Sequence, residues 1–209
     1  MIAIVNYDTG NICSVTNALR RVGCTDWVYT DDKEILMKAD KVLLPGVGEA
    51  STAMAKLAER GLDTFIPTLT QPVLGICVGT QLMCQSSEEG NVECMGIFRT
   101  KVKKFQADIN SADQLLSLNS HLSSLKVPHM GWNQITHLRT PLFRDIAEGA
   151  YIYYVHSFYP ELCADTIATT RYINAFSGAL GRDTFFGTQF HPEKSGAVGA
   201  QIIKNFLEL

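Results

Sequence analysis

Along the first third of the chain, short apolar runs rich in β-branched residues alternate with stretches whose apolar positions recur at helical spacing. Residues 2–7 (IAIVNY) form the first run, a turn-rich DTGN follows, and 12–22 carries the pattern of an amphipathic helix. Residues 26–30 (DWVYT) read as a short strand, and 41–46 (KVLLPG) as another that stops at Pro45. A helix is expected over 50–60 and a further buried strand over 72–77 (PVLGIC). Continuously apolar strands separated by helices indicate a parallel sheet covered on both faces. Ligands of such sheets sit beyond the carboxyl ends of the strands, so the loops after Tyr7, Leu44 and Ile76 are where a site is expected.

The rhythm then changes. Residues 95–105, 151–159, 166–173 and 185–190 are strand-like and follow one another without long helices, which suggests an antiparallel extension closed by a helix over 198–207. Residues 106–125 are polar, rich in Ser and Asn and only weakly periodic, and read as an excursion from the sheet with helical character around 113–118. No repeat or linker divides the chain, so residues 1–209 are expected to form a single domain. The predicted fold class is α/β, a central mostly parallel sheet flanked by helices with an antiparallel extension.

Composition narrows the function. A hydrophobic content of 46% supports a large core, and 19% charged residues excludes a disordered or coiled-coil chain. With a net charge of −3 and no basic stripe, nothing points to nucleic acid; Lys101, Lys103 and Lys104 read as a solvated strand edge. No apolar run reaches the roughly 20 residues that span a bilayer, and the first residues read as a strand rather than a signal peptide. The six cysteines contain no CxxC pair, which argues against a disulfide framework or a metal site and for a reducing, cytoplasmic setting.

One of those cysteines stands apart. In VLGICVGTQLM (73–83), Cys77 ends an apolar strand, with Gly75 two residues before it and Gly79 two after. A thiol on a strand-to-helix elbow is exposed to substrate, the helix N-terminus favours a negative sulfur, and the N–H of Val78 is aimed at a developing oxyanion. Against this stands the common case of a buried packing cysteine, and G-x-C-x-G alone does not decide between them.

The nucleophile needs a base and an orienting group. His121, His129 and His137 read as surface or structural, and His156 in YVHSFYP is the second candidate. His191 in GTQFHPEKSG is the first: it follows a strand-like run, Pro192 fixes the chain, and Glu193 can turn its carboxylate back to the ring. The loop LLPGVGEA (43–50), with Gly46 and Gly48 on either side of Val47, can present backbone N–H groups to an anion; its bland reading is an ordinary turn. No G-K-[ST] follows, so it is not a P-loop.

PGVGEA, GICVGTQLM and FHPEKS, in that order, resemble the class I (triad-type) glutamine amidotransferases, a family with a flavodoxin-like α/β fold. NYDTGN, PHMGWN (128–133), YVHSFY (154–159) and HPEKSG resemble one branch of it, the glutaminase subunits that serve imidazole glycerol phosphate synthases of histidine biosynthesis. The resemblance covers nearly the whole chain. It implies that Cys77 attacks the side-chain amide of L-glutamine, His191 shuttles the proton, and Glu193 orients the ring. Val78 and, after a peptide reorientation, Val47 would supply oxyanion N–H groups, with Gly46 and Gly48 allowing the movement. Gln81 matches a glutamine-binding position, and Glu89 (or its neighbour Glu88) the receiver of the α-amino group. The backbone of His156, Ser157 and Phe158 would meet the α-carboxylate. Asn11 and Lys194 would face a separate cyclase subunit (β/α barrel) that forms a heterodimer with this chain; no cofactor or metal is implied. NYDTGN departs from the common D-Y-G-x-G-N, and 106–125 is longer than the common pattern. Other readings are a glutaminase of this branch serving another acceptor such as a sugar awaiting amidination, a different Cys-triad hydrolase such as a peptidase, or a non-enzymatic module. Gln81 and HPEKS weigh against the peptidase, and the complete triad against the module.

Overall fold

The structure, a computed structural model, describes residues 1–8, 11–106 and 126–209. Its centre is a seven-stranded sheet. β1 (Ile2–Val5), β3 (Lys41–Gly46) and β4 (Val73–Cys77) are buried on both faces, as their unbroken apolar runs require. With β2 (Trp27–Thr30) at one edge they pair in parallel, in the order β2-β1-β3-β4. Next to β4 comes β13 (Phe185–Thr188), also parallel to it, and β12 (Ala175–Arg182) and β11 (Thr166–Arg171) complete the sheet antiparallel.

The register decides where the chemistry falls. Gly46 lies opposite Cys77 across β3–β4, and Thr188 opposite Ile76 across β13–β4. Three carboxyl ends therefore finish together, bringing the 47–49 loop, the Cys77 elbow and the residues after Thr188 to one edge.

Helices α1 (Ile12–Arg21), α2 (Lys33–Lys38), α3 (Ala50–Glu59) and the short α4 (Leu62–Phe65) connect the first strands. Asn11 caps α1 by accepting from Ser14 N at 3.3 Å, and Asp32 caps α2 by accepting from Glu34 N at 2.8 Å. The five-residue α5 (Val78–Leu82) follows β4 without an intervening residue. Two small sheets flank the main one. Four strands order as β10-β7-β5-β6, where β5 is Ser86–Ser87, β6 Val92–Glu93, β7 Lys101–Lys104 and β10 Phe158–Pro160. β8 (His129–Ile135) pairs antiparallel with β9 (Ala150–His156), and α6 (Gly196–Leu207) closes the chain.

Several expectations need correction. The strand expected over 95–105 is confined to β7, because residues 95–98 are spent in loop hydrogen bonds to the 82–84 segment. The run 151–159 is two strands broken at Ser157, which pair with different sheets. The strand expected to stop at Pro45 continues through Gly46, and α2, β8 and β12 had no counterpart in the sequence reading. The helical character expected around 113–118, and His121, lie outside the described residues.

Candidate active site

Cys77 is the last residue of β4 and has φ +54°, ψ −111°, a conformation that L-residues seldom adopt. The chain must reverse from extended to helical within one residue, and this strain presents the thiol at the sheet edge. Close packing sustains it. A Cβ on Gly79 would overlap the Leu44 carbonyl, and one on Gly46 would overlap the backbone nitrogen of Gly79, so the end of β3 and the start of α5 touch backbone to backbone.

His191 leaves the end of β13 beside this elbow. Its Nδ1 lies 2.8 Å from Glu193 Oε1, which leaves Nε2 for the hydrogen bond to Cys77. All three residues are buried. Burial alone favours the neutral ring, but the hydrogen bonds and charges of Cys77 and Glu193 outweigh it, and the His191 pKa is raised to about 10. The turn that carries His191 and Glu193 is pinned on several sides. Arg21 Nη2 donates to the Glu193 carbonyl at 2.9 Å, Ser195 Oγ donates to the His191 carbonyl at 2.6 Å, and His191 N donates to Tyr153 O at 2.9 Å. Tyr153 N in turn donates to Ser195 Oγ at 2.9 Å, so β9 grips both ends of the turn.

The Val78 N–H belongs to the first turn of α5, where no intrahelical acceptor exists. Val47 is 39% exposed in the loop between Gly46, paired into β3, and Gly48, whose φ is +89°. Gln81 is buried, and its Nε2 donates to Phe158 O and to Gln189 Oε1, both at 3.0 Å. Its Oε1 has no hydrogen-bond partner among the described residues.

The two glutamates separate cleanly. Glu88 is tied outward, accepting from Lys104 N at 2.8 Å and pairing with Lys103 at 3.1 Å, and these contacts lower its pKa. Glu89 is half-buried and turns toward the 47–50 loop, accepting from Ala50 N at 2.9 Å. Burial raises its pKa against that hydrogen bond.

His156 is not a base. Its Nδ1 is 2.8 Å from Phe158 O, an acceptor only, so Nδ1 carries the proton and Nε2 must accept. His129 Nδ1 meets that Nε2 at 3.0 Å as donor, and Asn133 Nδ2 donates to His129 Nε2 at 3.3 Å. Both rings are held neutral: burial lowers His129 to about 4 and His156 to about 3, the latter against the Phe158 hydrogen bond and helped by the charges of His129 and His191. The structural reading of His129 stands, though it is buried, while His137 is exposed.

Lys194 is exposed, with Nζ 5.9 Å from the Tyr153 ring centroid, and Asn11 sits half-buried at the start of α1. The sequence reading missed Gln189, Ser195, Arg21 and Asn133. Gln189 carried a signal: a long polar side chain near the end of the strand-like run FFGTQF, two residues before His191.

These features define a class. The family model of glutamine amidotransferase class-I matches residues 3–209, and the chain belongs to that family. It is similar to the imidazole glycerol phosphate synthase subunit HisH of Bacteroides fragilis, 52% identical over 208 residues that span 100% of this chain and 99% of the relative. The HisH subunit of Pectobacterium atrosepticum is 49% identical over 99% of both chains. Among solved structures, a putative GMP synthase protein of Thermoplasma acidophilum superposes with a TM-score of 0.70 at 20% identity, covering 99% of this chain and 92% of that one. That likeness speaks for the shared α/β fold.

Proposed function

We propose that this chain is the glutaminase subunit of an imidazole glycerol phosphate synthase, releasing ammonia from L-glutamine for a separate cyclase subunit in histidine biosynthesis. The observation that carries the chemistry is Cys77 on its strained elbow with the His191–Glu193 pair delivered beside it by the neighbouring parallel strand. The full-length identity to HisH subunits supports the choice of acceptor.

Cys77 gives its proton to His191 Nε2, and the sulfur adds to the amide carbon of glutamine. The carbonyl electron pair moves to oxygen, held by the Val78 N–H and by Val47 once its peptide faces the site. Collapse breaks the C–N bond as His191 returns the proton to nitrogen, leaving ammonia and a thioester on Cys77. Water, losing a proton to His191, adds to the thioester, the C–S bond breaks, and the sulfur recovers its proton. The balance is glutamine plus water to glutamate plus ammonia. Glu193 stabilises the imidazolium in both halves. The unpartnered Gln81 Oε1, the inward-turned Glu89 carboxylate and the backbone of 156–158 suit an amino acid's polar end.

A partner surface is supported by the outer face of β8–β9, where Met130, Trp132 and Tyr151 are 64%, 55% and 56% exposed, with Lys194 beside them over Tyr153. We place the cyclase, a β/α barrel, there in a heterodimer that also meets Asn11. We read residues 1–209 as one amidotransferase domain. Six free cysteines suit the cytoplasm, and no helix among the described residues is long and apolar enough to cross a membrane.

The test is reconstitution: the purified chain with an imidazole glycerol phosphate synthase cyclase should support glutamine-dependent synthesis. Glutamine turnover that responds instead to a sugar-amidinating enzyme, or none with any partner, would overturn the assignment.

A further inference from the structure

Gln189 is wholly buried directly after β13 and has no role in the steps above. Its surroundings fix which end of its amide faces each neighbour. The Phe158 carbonyl only accepts, so Gln81 must present its amide nitrogen there. The same nitrogen faces Gln189, which must answer with its oxygen. That leaves the Gln189 NH2 against Cys77 Sγ, 3.7 Å away. The Phe158 oxygen also accepts from the protonated His156 Nδ1, so it takes a donor from each side.

A hydrogen bond to an ionised acceptor is stronger than one to a neutral acceptor. An amide aimed at sulfur therefore favours the thiolate over the thiol. We propose that Gln189 is a further catalytic residue: its side-chain N–H stabilises the Cys77 thiolate, while its oxygen holds Gln81 facing the substrate. One buried amide thus sets the nucleophile and one wall of the glutamine pocket together. This rests on the reading of Cys77 as nucleophile.

Gln189→Met keeps length and volume but removes donor and acceptor. Gln189→Glu keeps an acceptor for Gln81 and puts a carboxyl oxygen where the donor was. Alkylation of Cys77 by iodoacetamide, followed by mass spectrometry of its peptide from about pH 5 to 9, reads the thiolate directly. Both variants should be alkylated about tenfold more slowly at neutral pH, the loss of one hydrogen bond to a charged group, with profiles displaced to higher pH. The KM for glutamine in the reconstituted complex should rise for Gln189→Met and change little for Gln189→Glu. A variant with native circular dichroism and a wild-type alkylation profile overturns the proposal. If neither variant folds, the wild-type protein decides: the Gln189 side-chain amide resonances must shift as the thiol titrates, and immobile resonances overturn it. Alkylation needs neither glutamine nor partner, so failure of the glutaminase assignment would appear separately, as a wild-type complex without glutamine turnover.

Discussion

Gly79 packs so tightly under Leu44 that a Cβ at Gly79 would overlap the Leu44 carbonyl oxygen. The strained backbone of Cys77 is held by this contact between the end of β3 and the first turn of α5. Gly79→Ala should therefore cost roughly 3 kcal/mol or more, as overpacking against an unyielding backbone does. Gly23→Ala is the control: φ is +84°, but no described atom lies within 4 Å of its Cβ position, so only about 1–2 kcal/mol of backbone strain is expected. Urea unfolding midpoints measure both. A loss at Gly79 no larger than that at Gly23 would show that the Leu44 carbonyl gives way and that this contact does not hold the elbow.

Cys77→Ser should abolish glutamine hydrolysis while leaving the fold intact, because an alkoxide is far less accessible than a thiolate at neutral pH. The reconstituted synthase should still run on ammonium salts, since the acceptor receives ammonia whatever its source. Residual glutamine-dependent activity would remove Cys77 from the nucleophile role.

Glu193→Gln keeps the shape beside His191 Nδ1 but removes the charge. The loss should fall on kcat, on the order of 10³-fold, with KM little changed. Stability changes as well. His191 rises from 6.5 unfolded to about 10 folded, so its contribution is full below the unfolded value and is lost as pH climbs through about 10. The variant should lose less stability than wild type between neutral and alkaline pH, read as thermal midpoints. Parallel curves would leave Glu193 a turn residue.

His129 and His156 act in the opposite direction. Their folded values, about 4 and about 3, lie below the unfolded 6.5, so the unfolded chain binds more protons and stability falls as pH drops below 6.5. At pH 5 the His156 share alone is about 2 kcal/mol. The decline in urea midpoint from pH 7 to pH 5 should shrink in His156→Gln. An unchanged decline would show that the ring is charged in the native state.

The parallel half of the fold was legible because β1, β3 and β4 are buried on both faces and so read as unbroken apolar runs. β12 was not, because its run AFSGALGR is made largely of small residues; Gly178 is one place where only small fits, its Cβ position lying 2.9 Å from the Tyr154 hydroxyl. β8 escaped for a different reason. Its buried members are His129 and Ile135, while Met130 and Trp132 point outward, which inverts the usual pattern. Within the site, Cys77, His191 and Glu193 announced themselves through neighbouring Gly and Pro residues, which constrain local backbone. Gln189, Arg21 and Ser195 act through contacts between segments far apart in sequence, which local spacing does not encode.

The isolated chain should be a poor glutaminase that the proposed cyclase partner, loaded with its own ligand, accelerates by orders of magnitude. The physical reason lies between Gly46 and Gly48. Gly46 is locked by pairing with Cys77 and by backbone contact with Gly79, whereas no described atom approaches the Cβ position of Gly48 within 4 Å, and Val47 stands partly in solvent. The peptide joining a fixed glycine to this open loop can rotate at little steric cost, so its N–H is free to face the oxyanion or to turn away. Losing one such donor costs on the order of 10²–10³ in rate. A partner that favours the inward orientation gains that factor, and ammonia release stays low until an acceptor is present. The coupling should be reciprocal in binding, so a glutamine analogue ought to tighten association with the cyclase. Val47→Pro deletes the N–H outright and should give a complex that assembles normally but no longer responds to the cyclase ligand. Steady-state glutaminase assays of the chain alone, with cyclase, and with cyclase plus ligand measure the effect. Full activity in the isolated chain would refute the gate and leave the triad standing.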